Sequence, residues 1–121
     1  METWTDNVTE KRRFQRIDSS LPLRYKNIKT ATVPVGSLTR DISEGGIGFK
    51  TNEFISLACR LVVEVTLPTA QRPIKAISKV AWIRKLSSGD QYELGNHFLE
   101  ISKEDKILIT DYVNRLRSAD L

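Results

Sequence analysis

Between Leu21 and Ile101 the apolar residues come in short alternating runs, each broken by turn-forming residues, and this spacing restricts the fold more than any other feature of the chain. Leu21-Pro22-Leu23-Arg24-Tyr25 alternates, and its proline suits a strand start or an edge strand. Thr32 to Ile42 carries Val33, Val35 and Leu38, with Pro34 and Gly36 marking a bend or bulge. Glu44-Gly45-Gly46 reads as a turn, and Ile47-Gly48-Phe49-Lys50-Thr51 as a short strand behind it. Arg60 to Leu67 has the leucine and valine content of a central strand. Ile74 to Leu86 alternates through Ile74, Ala76, Val80, Trp82 and Arg84; a hairpin turn at Ser87-Ser88-Gly89-Asp90 then leads to a strand from Tyr92 to Ile101. Ser102 is a good N-cap with Glu104 and Asp105 in the turn behind it, and Ile107, Leu108, Tyr112 and Leu116 recur as one face of a helix. Period-two runs closed by a single helix predict an all-β-dominated domain, a small antiparallel barrel with a C-terminal α-helix.

A chain of 121 residues is one domain by size and buries a real core without disulfides or metals. Its single cysteine, Cys59, excludes an internal disulfide, and its single histidine, His97, has no partner at metal-ligand spacing, so no metal is expected. The net charge of +4 favours an anionic partner: a nucleotide, nucleic acid, an acidic protein face or a lipid surface. No apolar run approaches the length of a membrane span. The Met1-Glu2-Thr3-Trp4-Thr5-Asp6 start lacks a signal-peptide pattern, so a cytoplasmic location is expected. Residues 1–10, polar apart from Trp4 and Val8, read as a flexible arm.

Two segments carry chemistry. Lys11-Arg12-Arg13-Phe14-Gln15-Arg16 puts fixed positive charge around an aromatic ring. Arg12 and Arg16 share a side whether the segment is helical or extended, so both can meet one ligand. Their planar forks suit phosphates and the O6/N7 edge of guanine. Asp41-Ile42-Ser43-Glu44-Gly45-Gly46 offers a carboxylate, a hydroxyl and two glycines at a strand end. Strand alternation turns Ile42 to the core and sets Asp41 and Ser43 together on the exterior. That carboxylate can accept from the N1 and N2 donors of guanine. The same residues equally make a plain turn, with glycine serving a positive φ. Trp82, beside Arg84, reads either as core-edge packing or as a surface that stacks on a base. A Ser43/His97/Asp41 hydrolase is not supported, because no nucleophile elbow surrounds Ser43, and no enzyme is expected. Nucleic acid is not expected either: aromatics are 7% of the chain, and most alternate into the core rather than forming a stacking platform.

Arg12-x-x-x-Arg16 and Asp41-x-Ser43-x-x-Gly46 resemble, in order and separation, the RxxxR and (D/N)xSxxG motifs of PilZ domains. Leu21-Pro22-Leu23-Arg24-Tyr25 and Tyr92-Glu93-Leu94-Gly95-Asn96-His97-Phe98 resemble the frame around them. The resemblance runs from about Lys11 to Leu116. It implies a six-stranded antiparallel β-barrel over about residues 20–101, with a C-terminal helix over about 102–118, in a PilZ domain spanning 11–121. It also implies a bacterial, non-enzymatic receptor for the second messenger cyclic di-GMP, which changes conformation on binding and signals to an unidentified protein effector. Arg12 and Arg16 would hold guanine edges and phosphates, with Lys11 and Arg13 adding charge. Asp41 would accept from guanine, Ser43 would bind a phosphate or guanine edge, and Gly46 would keep the turn tight. Ligand count, one molecule or two, stays open with Lys11 before the first arginine. The alternative within the family is an adaptor that works by protein contact without nucleotide.

Overall fold

The computed structural model describes residues 16–30, 33–87 and 89–119. Its strands are β1 (Ile17–Asp18), β2 (Pro22–Asn27), β3 (Val35–Ile42), β4 (Gly46–Thr51), β5 (Arg60–Val65), β6 (Ile74–Lys85) and β7 (Tyr92–Ile101), followed by helix α1 (Lys103–Ala119). Every pairing is antiparallel. The sheet runs β1-β3-β2-β5-β6-β7-β4, and a further pairing of β3 with β4 closes six of these strands into a barrel. The two-residue β1 lies outside the ring, on the edge of β3.

Alternation builds the core. On β5, Leu61, Val63 and Val65 point inward and are fully buried, while Val62 and Glu64 remain partly exposed on the outer face. Ile42, Ile47, Phe49, Ile74, Val80 and Leu94 fill the interior from the other strands. Each such side chain contributes roughly 1.5–3 kcal/mol by leaving water. The Tyr25 and Phe49 rings meet with centroids 5.0 Å apart. The Tyr25 hydroxyl is satisfied by Thr51 Oγ1 at 2.6 Å. The β6–β7 hairpin turns through Gly89, whose φ of 69° is the left-handed conformation that glycine adopts without steric cost.

The second half of β6 departs from the alternation read in the sequence. The β6–β7 register shifts between Val80 and Trp82. Val80 stays in the core, but the bulge turns Trp82 outward, and Ile83 packs against the core instead. The helix face also differs. Ile107 is 53% exposed whereas Ile109 is 0% exposed, and the buried face runs through Asp105, Ile109, Tyr112 and Val113.

Asp105 explains that rotation. Ser102 Oγ accepts from Asp105 N at 3.0 Å, the N-cap bond. The Asp105 carboxylate accepts from Lys75 N at 3.0 Å and pairs with Arg72 at 2.7 Å. The helix start is thereby tied to the beginning of β6, and the residues in line with Asp105 face the barrel. Burial alone raises the Asp105 pKa. The Lys75 N–H, the Arg72 guanidinium and Ser102 more than offset it and hold the carboxyl below its ordinary value. Asp105→Ala is expected to cost about 2 kcal/mol, because the Lys75 N–H and the Arg72 guanidinium both lose a buried acceptor; urea denaturation at neutral pH reads this. With the folded pKa depressed, Asp105 stabilises the fold above the ordinary aspartate value. That contribution is lost as pH falls through the depressed one, so the gap between wild type and variant closes in acid.

Candidate functional site

The β1–β3 pairing brings the two sequence motifs together. Ile17 lies opposite Ile42 and Asp18 opposite Asp41, so Arg16, just before β1, comes down beside the Asp41-Ile42-Ser43 strand end. Arg16 Nη1 is 3.7 Å from Asp41 Oδ1, an ion pair without hydrogen-bond contact. Lys11, Arg12 and Arg13 lie outside the described residues.

Asp41 faces outward because β3 carries a bulge. Thr39 pairs with Phe49 and Asp41 with Gly48, leaving Arg40 as an extra residue with no partner on β4. Thr39 and Ile42 both remain buried, which strict alternation could not allow for residues three apart. Thr39 is held inward as its Oγ1 donates to the Ser19 carbonyl and accepts from Leu21 N at 2.8 Å. The Asp41 carboxylate lies over Gly48, where an added Cβ would come within 2.9 Å of Oδ1. Burial raises its pKa above the ordinary aspartate value; Arg16 and Arg40 pull it down, and Asp18 and Glu93 push it up.

Register places further residues in the same row. Asp41 lies across from Gly48, Gly48 across from Gly95, and Gly95 across from Trp82. An added Cβ on Gly95 would run into the Trp82 indole. Asp41 and Trp82 thus lie side by side over two adjacent glycines, which their side chains cover. The neighbouring outer row sets His97 opposite both Gly46 and Lys79.

Ser43 differs from its sequence reading. It is buried, and its hydroxyl serves its own turn, accepting from Gly45 N at 3.2 Å and donating to the Gly46 carbonyl at 3.5 Å. The turn is docked on β7 through Phe98 N, which donates to the Gly45 carbonyl at 3.0 Å. Gly46 is required for space rather than for a positive φ, since a Cβ there would collide with the Asn96 carbonyl. Arg16, Ser43, Gly46 and His97 line an open cleft of about 1150 Å³ that continues to the start of α1 at Ser102 and Asp105. Asp41 and Trp82 flank the glycine pair beside it rather than lining it.

The sequence reading did not place Gly48, Gly95 or Asp18 near the site, and it took His97 for a surface strand residue. A glycine inside a strand is the available signal for two of them, since it marks close approach of another group to the backbone. Among the described residues no group of His, Cys, Asp and Glu could hold a metal ion. No helix among them is long and apolar enough to cross a membrane.

A family model described as the PilZ domain matches residues 10–115. Among solved structures, the Bacillus subtilis inhibitor of motility MotI/DgrA superposes with a TM-score of 0.77 at 20% identity, covering 89% of this chain and 52% of that one. The PilZ domain of YcgR from Escherichia coli, solved with c-di-GMP, gives 0.65 at 19% identity over 91% and 97% of the two chains. The MrkH–c-di-GMP complex from K. pneumonia gives 0.68 at 18% identity over 90% and 53%. At these identities the likeness is one of fold, and the chain spans about half the length of MotI and MrkH. No curated protein matches the chain.

The glycines separate two kinds of crowding. Gly46→Ala presses on backbone and is expected to destabilise the fold by roughly 1–3 kcal/mol. Gly48→Ala meets only the end of the Asp41 side chain and should move that carboxylate at a smaller cost; thermal unfolding of the two variants, side by side, reads the difference. The raised Asp41 pKa gives a second expectation. Its contribution to stability is complete below the ordinary aspartate value and is lost as pH rises through the raised one. Asp41→Asn is therefore expected to be more stable than wild type at neutral pH and to lose that advantage in acid, measured by denaturation across pH.

Proposed function

The chain belongs to the PilZ domain family, and we propose that it is a non-enzymatic receptor for cyclic di-GMP that reports the nucleotide to a protein partner. The observation that carries this reading is the meeting of Arg16 with Asp41 at 3.7 Å, between motifs well apart in sequence. Two structures of this fold, YcgR and MrkH, were solved with c-di-GMP, which supports the ligand class.

The residues suit the ligand in distinct ways. Arg16 is paired with Asp41 too loosely to be committed to it, so its guanidinium can turn to a phosphate or to the O6/N7 edge of guanine. Asp41, freed of that partner, accepts from guanine N1 and N2. Its burial makes the exchange favourable, because a carboxylate removed from water gains more from each new donor. Ser43 and Gly46 act through the turn, fixing its backbone against β7. The Trp82 indole, lying over Gly95 beside Asp41, offers a face on which a base stacks. Lys11, Arg12 and Arg13 complete the charge around the phosphates. Their engagement draws the segment before Arg16 onto the ligand and remakes the surface beside β1, and that altered surface is what the partner reads.

Titration calorimetry with cyclic di-GMP, using GTP and cyclic di-AMP as controls, tests this. Saturable binding selective for cyclic di-GMP is expected, with the stoichiometry counting one molecule or two. Arg16→Ala and Asp41→Ala should each weaken it by about tenfold or more, the scale of a lost charge-assisted hydrogen bond. Absence of binding by the wild type would overturn the reading and leave a fold that acts by protein contact alone.

A further inference from the structure

We infer that Arg40, held by Glu93, is a positioning residue for the nucleotide site: the pair locks the β3 bulge that turns Asp41 outward. This rests on the receptor reading for its ligand, but the geometry stands apart from it.

A bulge residue has no partner in the ladder, and its strand can relax to a regular register unless something holds the extra residue. Here the relaxed register would turn Asp41 toward the core and Ile42 toward water. Arg40 is held at both ends. Its carbonyl accepts from Ser19 N at 3.0 Å. Its guanidinium reaches across β4 to the carboxylate of Glu93 on β7. Glu93 is itself fixed: its side chain is 3% exposed, and its cross-strand neighbour Arg84 donates to the same oxygen through Nε at 3.0 Å, with Nη2 at 2.7 Å. One buried carboxylate oxygen therefore serves two arginines, one on an ordinary strand position and one on the bulge. A buried carboxylate is costly unless fully paired, so Glu93 resists release of Arg40 more strongly than a surface acid would.

The two arginines make the test. Arg40→Ala and Arg84→Ala each remove one guanidinium from Glu93 Oε1, but only Arg40 lies on the bulge. In the ligand-free full chain, nuclear Overhauser contacts between Asp41 and Gly48 report the bulge; calorimetry with cyclic di-GMP reports the site. Arg40→Ala is expected to weaken the Asp41–Gly48 contacts and to lower affinity about tenfold, the scale of one misplaced charge-assisted hydrogen bond at Asp41. Arg84→Ala should keep both near wild type. Glu93→Gln separates positioning from simple charge. Removing a negative charge near an anionic ligand would by itself tighten binding, whereas loss of the lock weakens it. Tighter binding by Glu93→Gln, equal losses in the two arginine variants, or intact Asp41–Gly48 contacts in Arg40→Ala would each overturn the inference. Should the wild type fail to bind cyclic di-GMP, the receptor reading falls, and the Asp41–Gly48 contacts alone decide the role of Arg40.

Discussion

The pairing of β3 with β4 is the interaction on which this molecule depends. It closes the barrel, so that among the described residues the six ring strands are all paired on both sides. It also sets the register that carries Asp41 to Gly48 and, one strand further, to Gly95. The same strand pairs on its other side with β1, which delivers Arg16. A single antiparallel contact therefore defines both the shape of the core and the composition of the site.

Charge is distributed around that contact in two different ways. Asp105, at the helix start, is surrounded by donors, and its ionised form is favoured. Asp41, on the barrel wall, is buried with weaker support, and its ionised form is disfavoured. The first arrangement serves the fold. The second leaves a carboxylate with unspent capacity to accept hydrogen bonds, as the proposed nucleotide site would use.

Much of the fold was legible because period-two alternation survives in β2, β5 and the first half of β6, and because Ser102 is a strong helix start. What escaped is what alternation cannot encode. A bulge changes which face a residue occupies without changing the residue, so Trp82 read as sharing a face with Val80, although the structure turns it outward. Ile107 and Ile109 are the same amino acid two positions apart, and only the tertiary tie of Asp105 to Lys75 decides which is buried. In the site, Arg16 and Asp41 could be singled out from their chemistry. Arg40 and Glu93 could not, since each looks like an ordinary surface charge until the barrel brings them together.

Ser19 joins three parts of the molecule. Its amide donates to the Arg40 carbonyl, its own carbonyl accepts from Thr39, and its hydroxyl shares a hydrogen bond with Tyr112 on α1. The chain leaving the arginine segment is therefore stitched to the C-terminal helix by one small side chain. Close-packed interiors transmit strain, and Ser19 ties the β1 edge to α1 directly. Any shift of the strand edge that carries Arg16 is therefore felt at once by the C-terminal helix, through a pair of hydroxyls.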